Sequence, residues 1–218
     1  MLLAEDLLLL LTDDRSGRLA VPANRADLAL GAAMLVDLTL GHHVQVSADG
    51  RLLVLDGGAT SDVLLDEALA TVDRNHGRKP KDVLAPLARR LRPRLYERLV
   101  HGGLVREEAG RICGIFPRHR WPAADAAHEN AVRADLGEAL RAGATADART
   151  GALVALLHAL GAKVIDADHV GITRAELEVN AERIADGDWA SEAVRSAIRE
   201  MLAAIIAATT SATIARAG

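Results

Sequence analysis

The chain has 218 residues, 50% hydrophobic and 26% charged, with a formal net charge of −4. That composition excludes a disordered chain, and the length suits one large domain or two small ones. Aromatic residues make up only 2%, so the core must be built from Leu, Ala and Val, which favours helices. The single cysteine, Cys113, excludes an internal disulfide and fits a reducing compartment. Three lysines (Lys79, Lys81, Lys163) against abundant Arg and Ala suggest a bacterial gene of high GC content.

Met1 to Leu11 is apolar but holds Glu5 and Asp6 and lacks a basic start, so it is not read as a signal peptide. The longest uncharged run, Met201 to Ala215, is fifteen residues with four Thr and one Ser. A spanning helix needs roughly 18 or more apolar residues. The expectation is a soluble, cytoplasmic chain that meets a membrane, if at all, from one side.

In chain order, Leu2 to Leu11 reads as a short buried helix and Arg18 to Val21 as a short strand. Asn24 is placed to cap a helix from about Arg25 to Leu40, closed by Gly41. Alternation on either side of Ala48-Asp49-Gly50 predicts a hairpin over His43–Leu55. Thr60 or Ser61 should start a helix through Val72. Lys81 to about Arg90 reads as helix, and Pro93 belongs near the start of the next one, which ends at Gly102-Gly103. A second hairpin over Leu104–Arg120 is predicted to turn near Ala109-Gly110. Helices follow at about Ala126–Arg141, Asp147–Leu160, Thr173–Ile184 and Ser191–Thr213, the last apolar on most sides from Met201 and so expected to be buried. The fold class is mainly α: one domain over 1–218 around a buried helical core, with two small β-hairpins.

Charge is unevenly distributed. Arg78 to Arg120 holds twelve of the 26 basic residues and only four acids, +8 in a chain of net −4. Such segregation points to a surface meant for an anion. The arginines Arg89, Arg90, Arg92, Arg94 and Arg98 form its centre, and Arg is the better phosphate reader because its planar fork binds two oxygens. Beside them lies an apolar hairpin segment, Ile112-Cys113-Gly114-Ile115-Phe116. A basic face next to an apolar tip suits an anionic membrane surface. It also suits a winged-helix nucleic-acid reader, although an apolar tip and overall acidity count against nucleic acid. A protein-interaction scaffold whose arginines meet an acidic partner is the third reading.

Motifs for chemistry are missing. None of the eight histidines sits in H-E-x-x-H, and there is no Gly-rich phosphate loop or nucleophile elbow. Neither an enzyme nor a cofactor or metal is expected. His158 reads as a helix residue, not a ligand. His128-Glu129 reads as capping and dipole chemistry at a helix start, and Asp62, Asp66 and Glu67 as a solvated face. Trp121 either lies at a membrane interface or packs the hairpin base onto the helices.

The segments A-M-L-V-D-L-T-L (Ala33–Leu40), D-V-L-L-D-E-A-L (Asp62–Leu69) and R-L-Y-E-R-L-V-H-G-G-L-V (Arg94–Val105), in that order and followed by the apolar hairpin, resemble the Golgi phosphoprotein 3 family over almost the whole chain. The resemblance implies a mainly helical domain that is peripheral to membranes, binds phosphatidylinositol 4-phosphate and inserts the hairpin tip (Ile112, Gly114, Ile115, Phe116) into the bilayer. Eukaryotic members also recognise cytoplasmic tails of Golgi glycosyltransferases, which implies a protein partner. Of the headgroup residues it implies, two fall on Arg89 and Arg92, with Arg90 and Arg94 nearby. The family's Trp falls near Pro22 and another Arg near Gly31, so both are lost here. The family's basic N-terminal extension is not expected here either.

Overall fold

The computed structural model describes residues 1–55, 58–112, 116–161, 165, 167–187 and 192–214, with all of their side chains except those of 109–112, 116–118, 169, 192–194, 197 and 208–214. Among these the chain forms ten helices and two two-stranded antiparallel sheets. The centre is α1 (Leu3–Leu11), in which every residue is buried, Glu5 and Asp6 included. A helix apolar on all sides must be surrounded, and α1 is packed by α2 (Ala23–Leu40), α5 (Leu91–His101), α6 (Ala127–Ala142) and α7 (Ala148–Leu160). Its first amides are met by carboxylates. Leu2 N–H donates to Glu5 at 2.8 Å and Leu3 N–H to Asp37 at 2.7 Å.

Small residues let α2 approach its neighbours closely. It packs against α1, α4 (Pro80–Ala88), α7 and α10 (Glu192–Ile214). A Cβ on Gly31 would lie 2.7 Å from the Leu84 carbonyl oxygen, so α2 and α4 touch backbone to backbone there. The cap of α2 differs from expectation. Pro22, not Asn24, precedes the first turn, and its carbonyl accepts from Arg25 and Ala26. The fixed φ of proline holds the extended entry, which leaves Asn24 inside the helix.

The first hairpin pairs β1 (Val44–Val46) with β2 (Leu52–Val54) in the register Val44–Val54, Gln45–Leu53, Val46–Leu52. Asp62 caps α3 (Val63–Asp73) by accepting from Leu64 N–H at 2.8 Å. Thr60, one of the two expected caps, instead donates its hydroxyl to the Asp62 carbonyl and so braces the true cap. Pro80 opens α4, which stops two residues short of the expected Arg90. Pro93 explains the break: in a continuous helix its ring would meet the carbonyl of Arg89. Arg89 is accordingly extended, Arg90 is left-handed with φ of 57°, and α5 restarts at Leu91.

Other departures are local. Arg18–Val21 contributes a single bridge, Thr12–Leu19, instead of a strand. The second hairpin, β3 (Glu108–Ile112) with β4 (Phe116–Arg120), pairs Ala109 with His119 and Gly110 with Arg118. Those two residues therefore lie within a strand and not at the turn. The ladder ends at the Ile112–Phe116 pair, the two ends of the apolar segment. The short α8 (Ala167–Val170) is not among the expected helices; α9 (Arg174–Ala185) matches the expected Thr173–Ile184, and Thr173 proves to be its cap. Only one face of α10 is covered in its described part: Met201 and Ile205 are buried, whereas Ile206 is half exposed.

Candidate functional site

The basic stretch resolves into arginines that are matched by acids and arginines that are not. On α5, Arg98 is held between Glu5 (2.8 Å) and Asp62 (2.7 Å), both from other helices or caps. The Arg94 fork is taken end-on by both carboxylate oxygens of Glu67, which holds that carboxyl below the usual range. Arg92 Nε lies 3.2 Å from Asp27. Burial raises the Asp27 carboxyl, and Arg92 pulls in the opposite direction. Arg89 and Arg90 differ from these three. Both are exposed, and among the described residues neither has an acidic partner. Of the four predicted headgroup residues, then, two are bound internally and two face solvent at the α4–α5 junction.

The acids assigned to a solvated face have structural partners. Asp62 caps α3 and grips Arg98, Asp66 accepts from Thr60 N–H at 2.6 Å, and Glu67 holds Arg94. His128-Glu129 does not cap its helix, although Glu129 lies in the first turn, where a carboxylate suits the helix dipole. His128 Nε2 sits 2.7 Å from Asp6, and the buried Glu129 pairs with Arg133. Burial raises the Glu129 carboxyl.

Sequence reasoning did not find the cluster of which His128 is part. Asp6 also accepts from Arg149 at 2.6 Å, and Arg149 reaches Asp37 at 3.3 Å and the Met1 carbonyl at 2.9 Å. Burial pushes Asp37 up to about 6 against the pull of Leu3 N–H, Arg149 and the Met1 amino group. The cluster ties α1, α2, α6 and α7 together. Its only sequence signal was the pair of carboxylates inside an otherwise leucine-rich helix, since such charges are almost never buried unpaired.

Trp121 packs the hairpin base. Its ring stacks on Tyr96 of α5 with centroids 4.0 Å apart and planes 6° from parallel. The Trp121 backbone N–H donates to the Gly17 carbonyl, and a Cβ on Gly17 would lie 2.3 Å from that backbone nitrogen. The hairpin root is thus fixed to the helix that carries Arg92, Arg94 and Arg98. Of the predicted inserting residues, Gly114 and Ile115 lie outside the described residues, as do the side chains of Ile112 and Phe116.

The two positions where the resemblance implies a Trp and an Arg are different in kind. Pro22 is exposed at the start of α2. Gly31 is sealed against α4, with a would-be Cβ also 3.2 Å from Ala88 N. No side chain fits there unless the two helices separate.

Among the described residues no helix is long and apolar enough to cross a membrane, and no group of His, Cys, Asp and Glu is placed to hold a metal ion. What these features define is a mainly helical domain with a buried helix at its centre and unmatched basic charge at one helix junction. The chain belongs to the Golgi phosphoprotein 3 (GPP34) family, whose model matches residues 3–201. No curated protein matches it.

Proposed function

We propose that this protein binds anionic lipid headgroups as a peripheral membrane protein, using the α4–α5 junction as its contact and the second hairpin as an apolar anchor. One observation carries the reading. Arg89 and Arg90 stand exposed and without acidic partners, while Arg92, Arg94 and Arg98 are neutralised from within. A basic residue near an anionic leaflet contributes about 1 kcal/mol. Two such residues amount to roughly 30-fold in affinity. Membership of the family favours phosphatidylinositol 4-phosphate as the headgroup, but Gly31 weighs against the family's full pocket. The winged-helix reading needs a basic helix free to enter a groove, and the arginines of α5 are already engaged.

The test is liposome co-flotation of the purified chain. Neutral vesicles are compared with vesicles carrying phosphatidylserine, phosphatidylinositol or its 4-phosphate, at two salt concentrations. Flotation with anionic vesicles that declines with salt and is lost in Arg89→Glu/Arg90→Glu is expected. A preference for the 4-phosphate would mean that a specific pocket persists without Trp and Arg. Equal binding to all anionic vesicles would mean charge guidance alone. Failure to float with any vesicle would remove the membrane reading and turn attention to acidic protein partners.

A further inference from the structure

We propose that the groove between α6, α7 and α9 is a ligand site for a primary aliphatic amine. The groove measures about 510 Å³, inside the range of ~300–1,000 Å³ of small-molecule pockets. Its apolar walls come from Leu140, Val154, Leu157, Ile165, Leu177 and Val179. These walls are set in advance of any ligand. Leu140, Val154, Leu157 and Leu177 belong to the buried core. Asn180 Nδ2 donates to the Leu140 carbonyl at 2.8 Å, which pins α9 to α6. Val179 is 53% exposed, so the apolar wall continues outward to solvent. No lining residue lies on α4, α5 or the second hairpin.

Charge selects the occupant. Four polar side chains line the groove: His158, Arg174, Glu178 and Glu182. Arg174 is already answered, because its Nε donates to Glu178 at 2.9 Å. Glu182 follows Glu178 by four positions, so the two carboxylates are neighbours on one helix face. Arg183 donates to Asn180 at 3.2 Å and not to Glu182, which has no ion-pair partner among the described residues. One positive and two negative side chains therefore face the groove. The last turn of α7 adds to this sign, since Leu157, His158 and Gly161 line the groove at the negative end of that helix. The positive end of α9 is met by its own capping Glu176. An ammonium group has three donors and can bridge Glu178 and Glu182 while its tail covers the leucine and valine walls. An anion would have to displace Glu178 from Arg174 and then meet Glu182. A neutral alcohol would gain the burial of its tail alone. The order of preference is amine, then alcohol, then carboxylate.

Octylamine, octanol and octanoate share one tail and differ in charge, so they test the site directly. At pH 7 the amine is protonated, as a lysine with a pKa of about 10.4 is. Each is titrated into the full chain by calorimetry at one ionic strength, and binding is placed by methyl NMR shifts. Octylamine should bind saturably, most tightly of the three, and shift Val154, Leu157 and Val179. Glu182→Gln should weaken octylamine about tenfold and leave octanol unchanged. Ala175 lines the groove at an exposed position. Ala175→Phe should therefore block all three ligands while melting as wild type does. Octanoate that binds as tightly as octylamine, an unchanged octylamine affinity in Glu182→Gln, methyl shifts confined to other helices, or no saturable binding overturns the proposal. Vesicle flotation has no part in the outcome, so the membrane reading and this site stand or fall separately.

Discussion

Arg149 and Arg90 are the same residue type put to opposite uses. Arg149, at the start of α7, is taken up by Asp6, Asp37 and the Met1 carbonyl and locks α7 to α1 and α2. Arg90 stands in a left-handed backbone position between two helices, exposed, and without an acid among the described residues. Neither is distinguishable from its immediate sequence. Burial of the partner makes the difference: a carboxylate that has lost its water must be answered by a cation, whereas a cation in water need not be answered at all. Basic residues that remain unanswered after folding are the ones with charge to offer an external anion.

The strongest break in that comparison is Arg149→Ala. It leaves Asp6, whose side chain is 3% exposed, with only His128 for company. Removing one partner of a buried pair costs about 3–5 kcal/mol, and a denaturant melt should show a loss of that size.

Asp37 sharpens the same point through pH. Its carboxyl is raised to about 6 from an ordinary value of 3.8. The folded state therefore holds this proton over a range where the unfolded chain has lost it. The associated stability is fully present below about pH 4 and is lost as pH rises through 6, a change on the order of 3 kcal/mol. Asp37→Asn should flatten that part of the stability profile, as followed by melts at pH 4.5 and pH 8. The comparison is between variant and wild type at each pH.

Gly31→Ala comes next. Its methyl would press on the Leu84 carbonyl at 2.7 Å, and overpacking of this kind costs about 1–3 kcal/mol. A thermal midpoint near that of wild type would show that α2 and α4 part easily, and that a longer side chain could return to this position. Asp62→Ala should lose about 1 kcal/mol from the missing cap, with Arg98 left to Glu5 alone as a further consequence. At the small end, Arg89→Glu/Arg90→Glu should leave the unfolding midpoint within about 0.5 kcal/mol of wild type, because neither side chain holds the fold together.

Much of the architecture was legible because it is written locally. Gly41, Pro80, Pro93, Thr173 and Asp147 mark helix ends by their own backbone and capping chemistry, and Ala48-Asp49-Gly50 marks the first turn. The second turn was misplaced because Ala109-Gly110 looks like a turn, and the strand pairing that overrides it depends on residues further along the chain. The arginine stretch was legible as a charge excess, but its division was not. Arg98 finds Asp62 across 36 positions, and His128 finds Asp6 across 122. Such pairings follow from tertiary packing alone. The same holds for Gly31, whose role is visible only once α4 lies against it.

Vesicle co-flotation of two double variants tests the division of the arginines most directly. Arg89→Ala/Arg90→Ala removes the unmatched pair, and Arg92→Ala/Arg94→Ala removes the matched pair while also uncovering Asp27 and Glu67. Both are compared with wild type on vesicles of one anionic composition at low and moderate salt. If unmatched charge carries the contact, the first variant loses roughly 30-fold in affinity at low salt, and the second loses markedly less. Equal losses, or a larger loss in the second variant, would contradict that division.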